Sequence, residues 1–141
     1  MRIGHWINTY PAPSSTFIRR EIEALEKQGL TISRYAVRRW ADELVDRRDR
    51  QEQEKTRYLL SGQVPKLLGG FFAEALANPT GLMRALGAWG KLVGNAGGGV
   101  VRHVAYLLEA ISLKRLAQAD AVEHIHAHFS TNAAAVALLC H

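Results

Sequence analysis

Three histidines recur at every second position near the end of the chain, in His124-Ile125-His126-Ala127-His128-Phe129, directly before Ser130-Thr131-Asn132. In a β-strand alternate side chains share a face. The spacing therefore predicts a strand that turns its imidazoles one way and Ile125, Ala127 and Phe129 the other, where they pack beneath a helix. Imidazole donates and accepts hydrogen bonds and changes charge near neutral pH. A row of three suits either the polar wall of a ligand crevice, with His126 and His128 nearest the carboxyl end of the strand, or a set of buried histidines with ordinary partners. Three imidazoles could also bind zinc, but a closed site needs a fourth donor and groups that orient the ligands. No other motif supplies these, so no metal is expected, and neither His126 nor His128 is assigned as a catalytic base.

A second group of candidates lies near the start: Asn8, Tyr10, Ser14, Ser15, Thr16, Phe17 and Glu21. Residues Arg2 to Asn8 read as a short β-rich strand, restricted afterwards by Pro11 and Pro13. Ser14 or Ser15 is placed to cap a helix whose Phe17, Ile18, Ile22 and Leu25 form an apolar stripe. The loop after the first strand of an α/β sheet lies at its carboxyl edge, where ligands bind, and the helix that follows offers N–H groups to an anion. Ser14, Ser15 and Thr16 are thus capping residues that also border a cleft in one reading and only cap in the other. Glu21 is a cleft residue or a solvated or ion-paired carboxylate. The loop lacks Gly-x-Gly-x-x-Gly, so close dinucleotide binding is not supported.

The elements that must position these groups follow from periodicity and turn chemistry. Gly29 suits the end of the first helix, and Leu30 to Val37 reads as a second strand, completing a βαβ unit. Between Arg38 and Arg57 the chain carries seven basic and six acidic residues. With few apolar anchors, this stretch reads as a solvated loop or a loosely attached helix within the domain. A short third strand is expected at Thr56 to Leu60. Apolar spacing from Leu67 to Trp89 predicts two helices, broken at Asn78-Pro79, with a joint over Gly94 to Gly99. Another helix runs from Val100 to about Ala119 and leads into the histidine strand, and a last one begins near Thr131. The expected fold is α/β, a Rossmann-like, mainly parallel sheet in the order 3-2-1-4, with the first and histidine strands adjacent at its centre.

The length of 141 residues bounds this to one domain or part of one, and 48% hydrophobic residues argue for a packed core. The net charge of +5 is spread along the chain, unlike the clustered footprint of a nucleic-acid binder, so no nucleic-acid partner is expected. One cysteine, Cys140, excludes an internal disulfide, and the start of the chain lacks the pattern of a secretory signal. The expected location is cytoplasmic. Phe71, Phe72 and Trp89 with Lys66, Arg84 and Lys91 make either helix core or a basic amphipathic surface that rests on an anionic membrane, peripheral to its inner face.

The two ends together carry a resemblance. Arg2 to Asn8, Tyr10-Pro11, Ser15-Thr16-Phe17-Ile18 and Arg20-Glu21-Ile22, followed by His124 to Phe129 and Ala134-Ala135-Val136-Ala137, resemble the N-terminal half of a bacterial glycosyltransferase of family 4, in the exopolysaccharide and colanic-acid group. The resemblance implies a GT-B enzyme, in which two Rossmann-like domains face each other across a cleft. The N-terminal domain receives a saccharide or lipid-linked acceptor, and the C-terminal one holds most of the nucleotide-sugar donor. It further implies a retaining hexosyltransferase that needs no cofactor beyond its donor substrate. On this resemblance residues 1–141 are expected to be the acceptor side alone, incomplete at the C-terminal end, with the donor domain missing. Alone, the chain is then expected to be inactive. The alternative is a non-enzymatic α/β binding or membrane-associated module.

Overall fold

A computed structural model describes residues 1–60, 64–95, 99–129 and 132–140. Its order is β1 (Arg2–Thr9), α1 (Thr16–Lys27), β2 (Thr31–Arg38), α2 (Arg47–Lys55), β3 (Thr56–Tyr58), α3 (Val64–Ala77), α4 (Pro79–Asn95), α5 (Val100–Ala119), β4 (His124–Ala127) and α6 (Asn132–Cys140), with a 3-10 turn at Pro13–Ser15. The four strands form one sheet in the order β3-β2-β1-β4, and every pairing is parallel. The fold is α/β with helices on both faces, as expected. Ser130 and Thr131, where the last helix is expected to begin, and residues 96–98 of the glycine joint lie outside the described residues.

Alternation along β1 divides the core into two layers. Ile3 and Ile7 face α1, where they pack with Ile18, Ile22, Ile32, Ala36 and Tyr10. Trp6 points the other way, into a cluster with Tyr35, Val37, Tyr106, Ala110, Leu113, Ala133 and Val136, so that α5 and α6 cover the second face. Burial of each large apolar side chain is worth roughly 1.5–3 kcal/mol. Trp6 also donates from its indole Nε1 to the Ala133 carbonyl at 3.1 Å, which satisfies its one polar atom. Gly4 lies on this second face because a Cβ there would come within 2.9 Å of the Tyr35 ring and 3.2 Å of Val122.

Helix α1 stops in the manner its sequence implies. Gly29 takes φ +86, a conformation costly to other residues, while Gly29 N–H bonds to Glu26 O and Leu30 N–H to Leu25 O. The chain is thereby turned straight into β2. At the other side of the sheet, α3 and α4 meet at Asn78–Pro79, the predicted break, and pack on α5 through Leu82, Leu107 and Ile111.

The charged segment departs from the expectation of loose attachment. Helix α2 buries Asp49 and Glu52 under the α1 face, where Arg19 Nη1 meets Asp49 Oδ1 at 2.6 Å and Arg34 Nε meets Glu52 Oε2 at 2.8 Å. Arg34 also reaches Glu26 at 2.6 Å. Of the aromatic residues expected either in the helix core or on an amphipathic surface, two belong to the core. Phe71 and Trp89 are half-buried against the helical core, and Trp89 Nε1 donates to His103 O at 2.7 Å, because aromatic side chains at these positions fill the gaps between α3, α4 and α5. Phe72 is exposed; the side chain of Lys66 lies outside the described residues.

Candidate functional site

In the order β3-β2-β1-β4, β1 is followed by α1 on one face of the sheet and β4 by α6 on the other, so the two diverge across the gap between those strands. That gap is the switch point of the sheet, and its carboxyl end is where an open α/β fold receives a ligand. The register pairs Ile3 with His124, Gly4 with Ile125, His5 with His126 and Trp6 with Ala127. Beyond the strand, His128 N–H still donates to Trp6 O at 3.0 Å, so the β1 edge holds His128 in line.

Strand parity works as predicted over β4. Ile125 and Ala127 pack on the α5 and α6 core, and the histidines share the α1 face. It fails at Phe129. A φ of +70 breaks the alternation there, and the exposed ring turns to meet exposed Phe17 edge-on at 6.1 Å between centroids. The two phenyl rings join the start of α1 to the segment after β4, across the mouth of the switch point. Phe17 is thus placed at the site, with a partner that the period-two pattern assigned to the opposite face.

Below these rings lies a cluster of three imidazoles. His5, on β1, is fully buried, and its Nδ1 lies 2.8 Å from Nε2 of buried His128, a hydrogen bond in which the tautomers decide the donor. The ring of His126 stands 5.1 Å from His5 and 4.7 Å from His128. Half-exposed His126 meets Glu21 of α1, Nε2 to Oε1, at 3.6 Å. Burial, then the neighbouring imidazoles of His128 and His126, push the His5 pKa down to about 3. Burial likewise lowers His128, with His126 adding to the shift and Glu21 opposing it. The inner pair is therefore neutral at physiological pH, able to pass or share a proton without carrying a net charge. His126 and Glu21 form the outer, solvent-reaching rim.

His5 is the residue that the spacing argument overlooked. It sits between Ile3 and Ile7, so the strand reads as simply buried. Once β1 and β4 are paired in parallel, however, their shared parity sets His5 beside His126. His124, the first histidine of the row, is exposed at the amino end of β4, away from the cluster.

The remaining candidates divide by burial. Tyr10 is corrected from cleft to core: its ring is fully buried, its hydroxyl donates to Glu52 Oε2 at 2.9 Å, and burial together with the Glu52 charge drives its pKa far upward. Its backbone carbonyl accepts from Tyr58 Oη at 2.9 Å. Ser15 is corrected as a side-chain cap. Its Oγ donates to Ala12 O and accepts from Ala12 N–H, both at 2.8 Å, and makes no cap bond to α1, so the hydroxyl closes the turn ahead of the helix instead. Ser14 is exposed, Thr16 and Asn8 are half-buried, and all three lie on the loop side of the switch point. A separate cavity of about 490 Å³ lies along the outer side of β4, bordered by Lys114, Gln118, His124 and Cys140, and does not include the imidazole cluster.

No family model, no curated protein and no solved structure matches this chain.

Proposed function

We propose that this chain is the acceptor-side domain of a nucleotide-sugar-dependent glycosyltransferase that resembles the family 4 enzymes of bacterial cell-surface polysaccharide synthesis. The observation that supports this reading best is the meeting of both candidate segments at one switch point. Phe17 and Glu21 of α1 stand against His126, His128 and Phe129 after two adjacent parallel strands. A sugar presents hydroxyls around apolar ring faces. Imidazole and carboxylate at the rim suit the hydroxyls, and the exposed phenyl rings suit the ring faces. The donor nucleotide-sugar belongs mainly to a second Rossmann-like domain facing this one in the GT-B arrangement. A hexose passed to a saccharide or lipid-linked acceptor is the reaction, with the transferred sugar's configuration retained.

In an enzyme that joins this chain to a donor domain, His126→Ala removes a rim hydrogen bond and leaves the inner pair in place. Transfer should fall roughly 3- to 10-fold, the value of one hydrogen bond. Donor affinity, measured by calorimetry, should stay close to wild type. An equal loss of donor affinity would remove the acceptor-side assignment.

A second observation favours membrane association of the same domain. Leu68, Phe72 and Leu76 recur every fourth residue of α3 and are all exposed, and Met83 on α4 is exposed as well. Glu74, the one acidic residue between 64 and 95, is buried against Lys114 Nζ at 2.6 Å, while Arg84 is exposed. This surface is apolar and cationic, which fits the inner face of a membrane carrying a lipid-linked acceptor. No helix among the described residues is long and apolar enough to cross a membrane. Co-sedimentation with vesicles rich in anionic lipid should capture the protein at low salt and release it in Phe72→Ser/Leu76→Ser. Binding that ignores both salt and this double substitution would rule the surface out.

A further inference from the structure

The histidine row on its own lacks the fourth donor of a closed metal site, and the fold gathers His5, His128 and Glu21 within reach of one another, with His126 beside Glu21. His5 comes from β1, His126 from β4, His128 from just beyond that strand and Glu21 from α1. One ligand atom from each of His5, Glu21 and His128 lies within 4.8 Å of the other two, and Glu21 Oε1 is 3.6 Å from His126 Nε2. In a tetrahedral site with metal–ligand bonds near 2.0–2.1 Å, neighbouring donors stand about 3.3 Å apart. The His5–His128 separation of 2.8 Å therefore needs to open by only about 0.5 Å. Glu21 and His126, whose side chains are 40% and 46% exposed, have the freedom to swing inward.

We infer that His5, His126, His128 and Glu21 form a binding site for a zinc-type divalent cation. The ligand chemistry selects the ion. Imidazole nitrogen with a single carboxylate oxygen suits zinc, whereas magnesium and calcium require oxygen ligands throughout. One carboxylate reduces the charge to be buried from two to one. With four protein ligands the site is closed, so the ion acts as a clip that ties α1 to the paired strands β1 and β4 rather than as a centre that activates water. A bound ion would withdraw Glu21 and His126 from sugar hydroxyls, so this inference does not rest on the sugar-transfer reading. It concerns some of the same side chains, but it is read by metal binding alone.

The test is a titration of chelator-stripped protein with zinc chloride in competition with a chromophoric zinc indicator, followed by cobalt substitution. One equivalent should bind, and zinc should raise the melting temperature, because a ligand that binds only the folded state stabilises it. Cobalt should give the intense visible bands of a four-coordinate site without thiolate charge transfer. His126→Ala and Glu21→Gln lie at the solvent-reaching rim and should keep the fold. Each should weaken zinc binding by at least the roughly 10- to 100-fold known for loss of an outer-sphere partner. His124→Ala, outside the cluster, should leave the affinity unchanged. Absence of stoichiometric binding, affinity insensitive to both rim variants, or a thiolate band implicating Cys140 would each overturn the site.

Discussion

Replacing Glu52 with alanine should cost about 3–5 kcal/mol of folding stability, the penalty for stranding a buried charge. Glu52 is buried on α2 and accepts from Arg34 Nε at 2.8 Å, Arg34 Nη2 at 3.2 Å and the Tyr10 hydroxyl at 2.9 Å. Burial works to raise its pKa, yet the Arg34 hydrogen bonds and charge prevail and hold the carboxyl below its ordinary value. Without it, Arg34 keeps the half-exposed Glu26 and the Ile32 carbonyl, and Tyr10 loses its acceptor. Urea unfolding should therefore show a lowered midpoint with little change in slope. Arg34→Met/Glu52→Leu removes both charges and should recover most of the loss, since an apolar pair of similar volume is often neutral relative to a buried ion pair. If Glu52→Ala loses less than about 1 kcal/mol, within the range of an exposed pair, then α2 is not anchored as described.

That network marks one limit of what the sequence discloses. Thirteen charged residues between Arg38 and Arg57 look like a solvated stretch because composition does not show where partners come from. The partners of Asp49 and Glu52 are Arg19 and Arg34, on α1 and β2, and only the packing of those elements brings them within reach. The sheet, by contrast, was legible. The βαβ rhythm, the Gly29 stop and right-handed parallel crossovers restrict the topology to few choices, and β3-β2-β1-β4 is the order those constraints predict.

The candidate site was legible in part for the same reason. Parity placed His126 and His128 on one face, and the adjacency of β1 to β4 follows from the predicted order. Reading the two together would have exposed His5, which sits opposite His126. Tyr10 and Phe129 were misread for different causes. A tyrosine in a loop after a strand carries no sign of whether its ring turns inward, and a positive φ at Phe129 is a tertiary feature that no alternation rule anticipates.

Stability should fall as pH rises from about 5 to 8 through Glu109 alone, by on the order of 2–3 kcal/mol. Glu109 lies on α5 with 6% of its surface exposed, and burial raises its pKa from 4.5 to about 7, against a smaller opposing pull from Arg38. The folded protein thus holds a proton that the unfolded chain releases near pH 4.5. Below that value both states are protonated and the full contribution is present. Across the window the unfolded state ionises first, so each step upward favours unfolding, and the contribution is gone once the folded group ionises above about 7. His5 and His128 act in the opposite sense, because their lowered pKa values make acid the destabilising condition. A scan of the wild-type protein alone would mix these effects. Comparing it with Glu109→Gln, which keeps shape and hydrogen-bonding capacity but cannot ionise, isolates the glutamate. Urea midpoints at pH 5 and pH 8 should show the variant gaining on the wild type as pH rises. Equal shifts in the two proteins would mean that Glu109 ionises in the fold as readily as in the open chain, and that the α5 face beside Arg38 is wet rather than buried.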